Sequence, residues 1–320
     1  MTARRHHFIP QCYLKGFAAA RKQGKYQVHV FDRQTRKTFK CATENIGLER
    51  DFNRVNVEGH DPDAFEAGVA KFENELAPAL ARTIETVTFV SPEDRNLIMN
   101  LIANLALRNP QFREQIRQFH EQTSRLMMDA ALSSKERWEA QTSRARADGF
   151  LEGTKELSYE QMKQFHDERQ YKVELETDYH IRMEMDSLDK VLPLLAERGW
   201  LFLRAGKDSG GFVTSDHPVC LMWGKDGPSQ HQHYSPGFGL KGTEVLFPLS
   251  QYLAIVGAFE LPDAQKELSD EWVAISNGKL AMFATRQLYA RDLAFHYQFP
   301  KMETRKASRL IDDVRFVRGR

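Results

Sequence analysis

The chain has 320 residues, with 45 Lys and Arg against 44 Asp and Glu, 41 % hydrophobic and 11 % aromatic residues, and only 19 Gly and 12 Pro. That composition excludes disorder, collagen-like repeats and low complexity, and the length suits one large domain or two closely packed ones. No run approaches the roughly eighteen uncharged apolar residues of a membrane helix, and Arg4, Arg5, His6 and His7 stand where a secretory leader carries its apolar stretch, so a cytoplasmic protein with no membrane partner is expected.

From the amino terminus, residues 25–31 alternate imperfectly between polar and apolar, Asp32 to Thr35 supply a turn, and residues 37–42 return, which predicts a β-hairpin. Phe65, Val69, Phe72, Leu76, Leu80, Ile84 and Val87 follow at steps of three and four and form one helical stripe. Ser91, Pro92, Glu93 and Asp94 supply a cap, a first-position proline and an acidic first turn for a second long helix, with Leu97, Ile98, Leu101, Ile102 and Leu105 on its apolar face. Asn109-Pro110 should end that helix near Arg108, after which Phe112, Ile116, Phe119 and Leu126 mark a third. The charged stretch 133–157 reads as an exposed helical hairpin or a mobile insertion. Helical patterns recur at about 158–175 and 186–198. Beyond residue 199 the period changes to short apolar runs at 200–203, 212–214, 219–222, 245–247 and 253–256, as in an antiparallel sheet. Asp270 is the expected cap of a helix over 271–286, and residues 287–290 return as a strand.

The expected fold is therefore α+β: an antiparallel β-sheet, built from the amino-terminal hairpin and the carboxy-terminal strands, with a large central helical bundle. The expected organisation is a segment 1–60 belonging to the sheet, a bundle over 61–198 and a β-rich region over 199–320 with one helix, all in one integrated domain. Three cysteines, Cys12, Cys41 and Cys220, have no metal-type or disulfide-framework spacing and are read as reduced thiols.

The near-zero net charge conceals unlike parts. Residues 1–60 hold 12 basic and 5 acidic side chains, the last twenty hold 7 and 3, and the rest hold 26 and 36. Basic ends on one face would attract a polyanion such as nucleic acid; alternatively they pair with the acidic middle or are simply solvated.

Candidate chemistry lies in four places. His6 and His7 are adjacent imidazoles next to Pro10; in an extended segment they point opposite ways, so one can face a site as base, donor or metal ligand while the other packs. Ser215 and Asp216, with Thr214 and His217, sit between apolar runs, where they can serve acid–base or cation-binding roles or make ordinary turn hydrogen bonds. Glu66 and Glu73 lie seven residues apart at the margin of the first helical stripe and so share a face, suited to a divalent ion or to proton transfer or merely solvated. Arg108, at a helix end, can clamp an anion or neutralise the carboxy-terminal dipole. His231 and His233 form a weaker, loop-like pair. No Walker loop, GxGxxG, HExxH, EF-hand or GxSxG pattern is present.

In combination, His6-His7-Phe8-Ile9-Pro10-Gln11 with Tyr13, Leu14 and Phe17, then Asp51-Phe52, Leu107-Arg108-Asn109-Pro110, Thr214-Ser215-Asp216-His217-Pro218 and Phe247-Pro248-Leu249-Ser250 resemble the bacterial domain-of-unknown-function family 4238. The resemblance implies a shared site assembled from His6, His7, Arg108, Ser215 and Asp216, with Glu73 joining it. His217 stands where that family commonly has Asn, and Asp51-Phe52-Asn53 where an aromatic pair is usual, so nothing is transferred to Asn53. The resulting expectation is a hydrolase of phosphate esters or nucleic acid, assisted by a divalent metal ion on His7, Glu73 and Asp216. The alternative is a non-catalytic nucleic-acid- or protein-binding module using the basic termini.

Overall fold

A computed structural model describes residues 5–56, 58–59, 61–151, 157–169, 171–225 and 235–319. His231 and His233 lie outside the described residues. The chain divides into two compact units, one made of residues 1–109 with 181–320 and the other of residues 110–180.

The first unit contains two five-stranded sheets among the described residues. In one, the strands run in the order Ala264–Leu268, Gly199–Ala205, Leu253–Ala258, Thr243–Ser250 and Cys220–Trp223. In the other, Ala19–Ala20, Tyr26–Asp32, Gln287–Ala290 and Thr214–Ser215 lie side by side, and Lys37–Ala42 pairs with Tyr26–Asp32. The amino-terminal hairpin thus joins a carboxy-terminal strand as expected, with Phe31 opposite Leu288 and Val30 opposite Tyr289. The turn after it is fixed by Asp32. One carboxylate oxygen accepts the backbone N–H groups of Gln34 at 3.1 Å and Thr35 at 2.9 Å, and the other accepts Nε of Arg286 at 2.8 Å and Nε2 of Gln287 at 2.9 Å. Burial works to raise this carboxyl, but the bonds from Gln287, Thr35 and Arg286 overcome it and hold the group at about 2.

Three details depart from the sequence expectation. The strands occupy two sheets, and Ala264–Leu268 runs parallel to Gly199–Ala205; it is an edge strand, exposed at four of its five positions, so it carries no alternating pattern to detect. The late helix spans Asp270–Phe283 with Ser269 as its cap. It stops short of 286 because Ala284 turns extended and the next three backbone N–H groups bond to Asp216. A short ribbon pairs Arg5–His7 with Leu48–Arg50.

The striped helix runs Ala64–Thr86 and closes on Val87 in the left-handed region. The helix Pro92–Leu107 begins as expected, with the Ser91 hydroxyl oxygen accepting the backbone N–H of Asp94 at 3.1 Å. Leu76, Leu80, Ile98, Leu101, Ile102 and Leu105 are buried. Tyr13 is fully buried, stacks on Phe247 at 5.3 Å and is hydrogen-bonded to the Thr214 hydroxyl at 2.7 Å. That bond ties the segment after the two histidines to the strand that carries Ser215.

The second unit is helical, with Pro110–Ala131, Lys135–Ala147 and Tyr159–Asp167. Ser158 forms a capping box with Gln161. Within the charged stretch, Ser134 caps Lys135–Ala147 through the backbone N–H of Arg137. Among the described residues no helix is long and apolar enough to cross a membrane.

Candidate functional site

The ribbon Arg5–His7 places the two imidazoles on opposite faces, as alternation along an extended segment requires. His6 is 2 % exposed, whereas His7 is half-buried. Gly47 anchors the following turn: its carbonyl accepts the N–H of Phe8 at 2.9 Å and of Ile9 at 3.2 Å. Its φ is +61°, and a Cβ there would meet the Ile9 side chain at 2.9 Å, so only glycine fits without a shift.

Asn53, with no exposed surface, is the hub of the arrangement. Its backbone N–H donates to Nδ1 of His6 at 2.9 Å, its side-chain nitrogen donates to Glu66 at 2.6 Å, and its side-chain oxygen accepts Nη2 of Arg108 at 2.9 Å. Four segments distant in sequence therefore meet at one residue, His6 on its backbone N–H and Glu66 and Arg108 on its side-chain amide. Because a backbone N–H can only donate, Nδ1 of His6 carries a lone pair, and in this arrangement the imidazole proton resides on Nε2. That Nε2 atom is buried and has no hydrogen-bond partner among the described residues. An unsatisfied buried donor is costly and is a natural place for an oxygen of a ligand or of water.

Arg108 is 6 % exposed. Besides Asn53 it bonds the side-chain oxygen of Asn104 at 3.1 Å, lies 3.7 Å from the fully buried Glu184 carboxylate and stacks over Phe65 at 4.8 Å. Its charge is thus compensated by a carboxylate, two amides and a ring face.

Gln11 links the remaining groups. Its side-chain nitrogen donates to Nδ1 of His7 at 3.1 Å and to the carbonyl of Thr43 at 3.0 Å, while its main-chain N–H supports the Glu73 carboxylate. Burial, with Arg5 nearby, lowers the His7 pKa from its ordinary 6.5, against the opposing pull of the Ile46 and Gly47 backbone and of Glu66. His7 is neutral at pH 7. Burial, aided by the charge of Glu66, raises the Glu73 carboxyl above its ordinary 4.5, against the Gln11 N–H and the cations Arg108 and Lys15. The neighbouring Cys12 thiol is pushed up to about 11, first by burial and then by Glu73, so it stays protonated and is not a nucleophile at neutral pH.

Of the residues expected from the sequence, His6, His7, Glu73 and Arg108 converge here. Ser215 makes a local turn bond instead, and Asp216 bonds the backbone that follows the late helix. The Ser215 hydroxyl oxygen accepts the backbone N–H of His217 at 3.2 Å, and the Asp216 carboxylate accepts those of Thr285, Arg286 and Gln287 at 2.7, 2.7 and 2.9 Å. No hydrogen bond or ion pair among the described residues joins either of them to the Asn53 cluster. His217 stacks on Phe283 at 6.3 Å. The expected metal set is corrected accordingly: among the described residues no group of three or more His, Cys, Asp and Glu side chains could hold an ion, so His7, Glu73 and Asp216 do not form a joint ligand set. The physical reason is that the Asp216 oxygens already satisfy three backbone donors.

Asn53, Gln11 and Glu184 were not anticipated as members. Asn53 follows the buried Phe52 in a short polar stretch, a position whose only sequence signal is a polar residue beside an aromatic one. Glu184 lies inside the continuous helix Thr177–Ala196, at a fully buried position.

Fold and cluster together define an α+β protein that holds two neighbouring carboxylates, an amide hub, an arginine and two histidines at the junction of its amino-terminal ribbon and first long helices. The chain belongs to the family described as Protein of unknown function (DUF4238), whose family model matches residues 5–293. No curated protein and no solved structure matches it.

Proposed function

We propose that the chain is a hydrolase that uses Glu73 as general acid and Glu66 as general base, acting on a bond whose scissile group is uncharged. The observation that carries this reading is the raised pKa of Glu73 beside Glu66 on one helix face. Two neighbouring carboxyl groups can divide the work: the one that burial makes a weaker acid gives a proton to a leaving group, and the other acts on water. Asn53 holds Glu66 at 2.6 Å, and Arg108 faces the same hub. The Nε2–H of His6 is placed to donate to an oxygen that gains negative charge. His7, neutral and bonded to Gln11, positions the turn that carries Gln11.

The phosphate ester expected from the sequence suits this charge less well. Glu184 lies 3.7 Å from the Arg108 guanidinium, Glu73 feels its charge and Glu66 bonds the same Asn53, and carboxylates gathered around one hub repel a phosphate.

Hydrolysis of p-nitrophenyl acetate, p-nitrophenyl glycosides and bis(p-nitrophenyl) phosphate by the full chain, with and without added Mg²⁺ or Mn²⁺, tests the reading. Turnover of an uncharged ester or glycoside is expected without metal. Glu73→Gln should lower kcat by about 100-fold or more, the usual worth of a general acid, while the exposed Glu75→Gln retains activity. Turnover confined to the phosphate diester, or indifferent to Glu73→Gln, contradicts the assignment.

A further inference from the structure

We infer that the carboxy-terminal segment 305–318, together with the tip of the amino-terminal hairpin, forms a binding surface for the phosphate backbone of nucleic acid, separate from the Asn53 cluster. The segment Ala307–Asp312 and the short helix Val314–Arg318 are fixed to the first unit by buried Leu310 and Phe316. The guanidinium of Arg33, from the hairpin, lies 4.7 Å over the Phe316 ring and donates to the carbonyl of Ala281 at 2.7 Å. The turn of the amino-terminal hairpin and the carboxy-terminal helix are thereby brought together.

Two open clefts lie along it. One, of about 530 Å³, is lined by Arg305, Lys306, Ser308, Arg309, Asp312 and Asp313. The other, of about 210 Å³, lies between Arg36 on the hairpin and Val314, Val317 and Arg318 on the terminal helix, and it shares Asp312 with the first. The charge balance within them decides the ligand. Asp313 is buried and spent: it accepts from Tyr297 at 3.1 Å, from Arg305 at 3.0 Å and from the backbone N–H of Arg315 at 3.1 Å. Arg36, Lys306, Arg309 and Arg318 are all exposed, and among the described residues none of them pairs with a carboxylate. Four uncompensated cations thus face the single exposed carboxylate of Asp312.

Unpaired cations lining two clefts that share Asp312, with a serine hydroxyl in one of them, match a ligand that presents repeated oxyanions. Neither cleft is lined by an aromatic side chain on which a base could stack. The surface therefore suits contact with the backbone of a duplex, without base readout. Most of it lies beyond residues 5–293, the span of the family match.

The test is fluorescence anisotropy of a labelled mixed-sequence duplex of about 20 base pairs with the full chain, titrated from about 50 to 200 mM salt. Four phosphate contacts predict a slope of log K against log salt of roughly −3 to −4. Lys306→Ala with Arg309→Ala should weaken binding at the lower salt by about tenfold or more and bring the slope to roughly −2, and adding Arg36→Ala and Arg318→Ala should abolish binding. All four sites are exposed, so unchanged thermal melts serve as the folding control. Absence of salt-dependent binding by the unaltered chain, binding that survives the fourfold variant, or capture by anionic lipid vesicles in place of the duplex overturns the proposal. Hydrolysis of the p-nitrophenyl substrates by these variants should be unchanged, which separates this proposal from the assignment of Glu73.

Discussion

Replacing Asp216 by Ala distinguishes a structural carboxylate from a reacting one, and its cost can be worked from the bonds it makes. Three backbone N–H groups, those of Thr285, Arg286 and Gln287, lose their acceptor. Hydrogen bonds to a charged group contribute about 1.5–3 kcal/mol each, so three full bonds would approach roughly 6 kcal/mol. Two corrections reduce this. The Thr285 and Arg286 donors lie near solvent, where water replaces the carboxylate, whereas the Gln287 donor is partly buried beside the strand pair of Gln287 with Asp32. Burial also pushes the Asp216 carboxyl up, against these donors and Arg33, so removing it recovers some desolvation cost. The expected loss is about 3 kcal/mol, or a fall in Tm of roughly 6–12 °C for a unit of this size. Differential scanning calorimetry of the full chain measures it, and Asp216→Asn, which keeps one acceptor without its charge, should lose about half as much. A variant that melts within about 2 °C of the parent but has lost hydrolysis would contradict the structural role and return Asp216 to the reaction.

Two further outcomes follow from local geometry. Gly47→Ala forces a residue with a side chain into φ +61° against Ile9; a loss of about 1–3 kcal/mol is expected in chemical denaturation, with hydrolysis reduced because the same turn carries the ribbon of His6 and His7. In the second unit, burial, Arg113 and His120 lower the His180 pKa from its ordinary 6.5 to about 4. The unfolded chain therefore takes up a proton that the folded unit refuses, so this unit loses stability as pH falls from 6.5 towards 4. Melts followed between those limits should show the loss in the parent and a flatter profile in His180→Gln, and identical profiles would contradict it.

What the sequence disclosed depended on how far each signal extends along the chain. The helix Ala64–Thr86 carries an apolar stripe over six turns, and Pro92–Leu107 carries both a stripe and a serine cap, so both were legible. The ribbon of Arg5–His7 with Leu48–Arg50 was not, because three residues per strand are too few to show alternation. For the cluster, His6, His7 and Arg108 stood out as unusual residue types in their settings, and the shared face of Glu66 and Glu73 follows from helical spacing alone. Asn53 did not stand out, since its role comes from three partners 13 to 55 residues away. Ser215 was legible in its plainer sense, since its hydroxyl bonds the backbone N–H two residues on, whereas the Asp216 carboxylate bonds the backbone of residues 285–287, about 70 positions away, which no local signal announces.

If Glu73, Glu66 and His7 form one charge-coupled group, carbon-13 NMR titration of labelled Glu73 together with proton titration of His7 shows it without a substrate. Glu73 should titrate above 4.5 and His7 below 6.5. Because the Glu66 charge raises both, Glu66→Gln should lower both. Ordinary values that Glu66→Gln leaves unmoved would mean that the three side chains do not share a site.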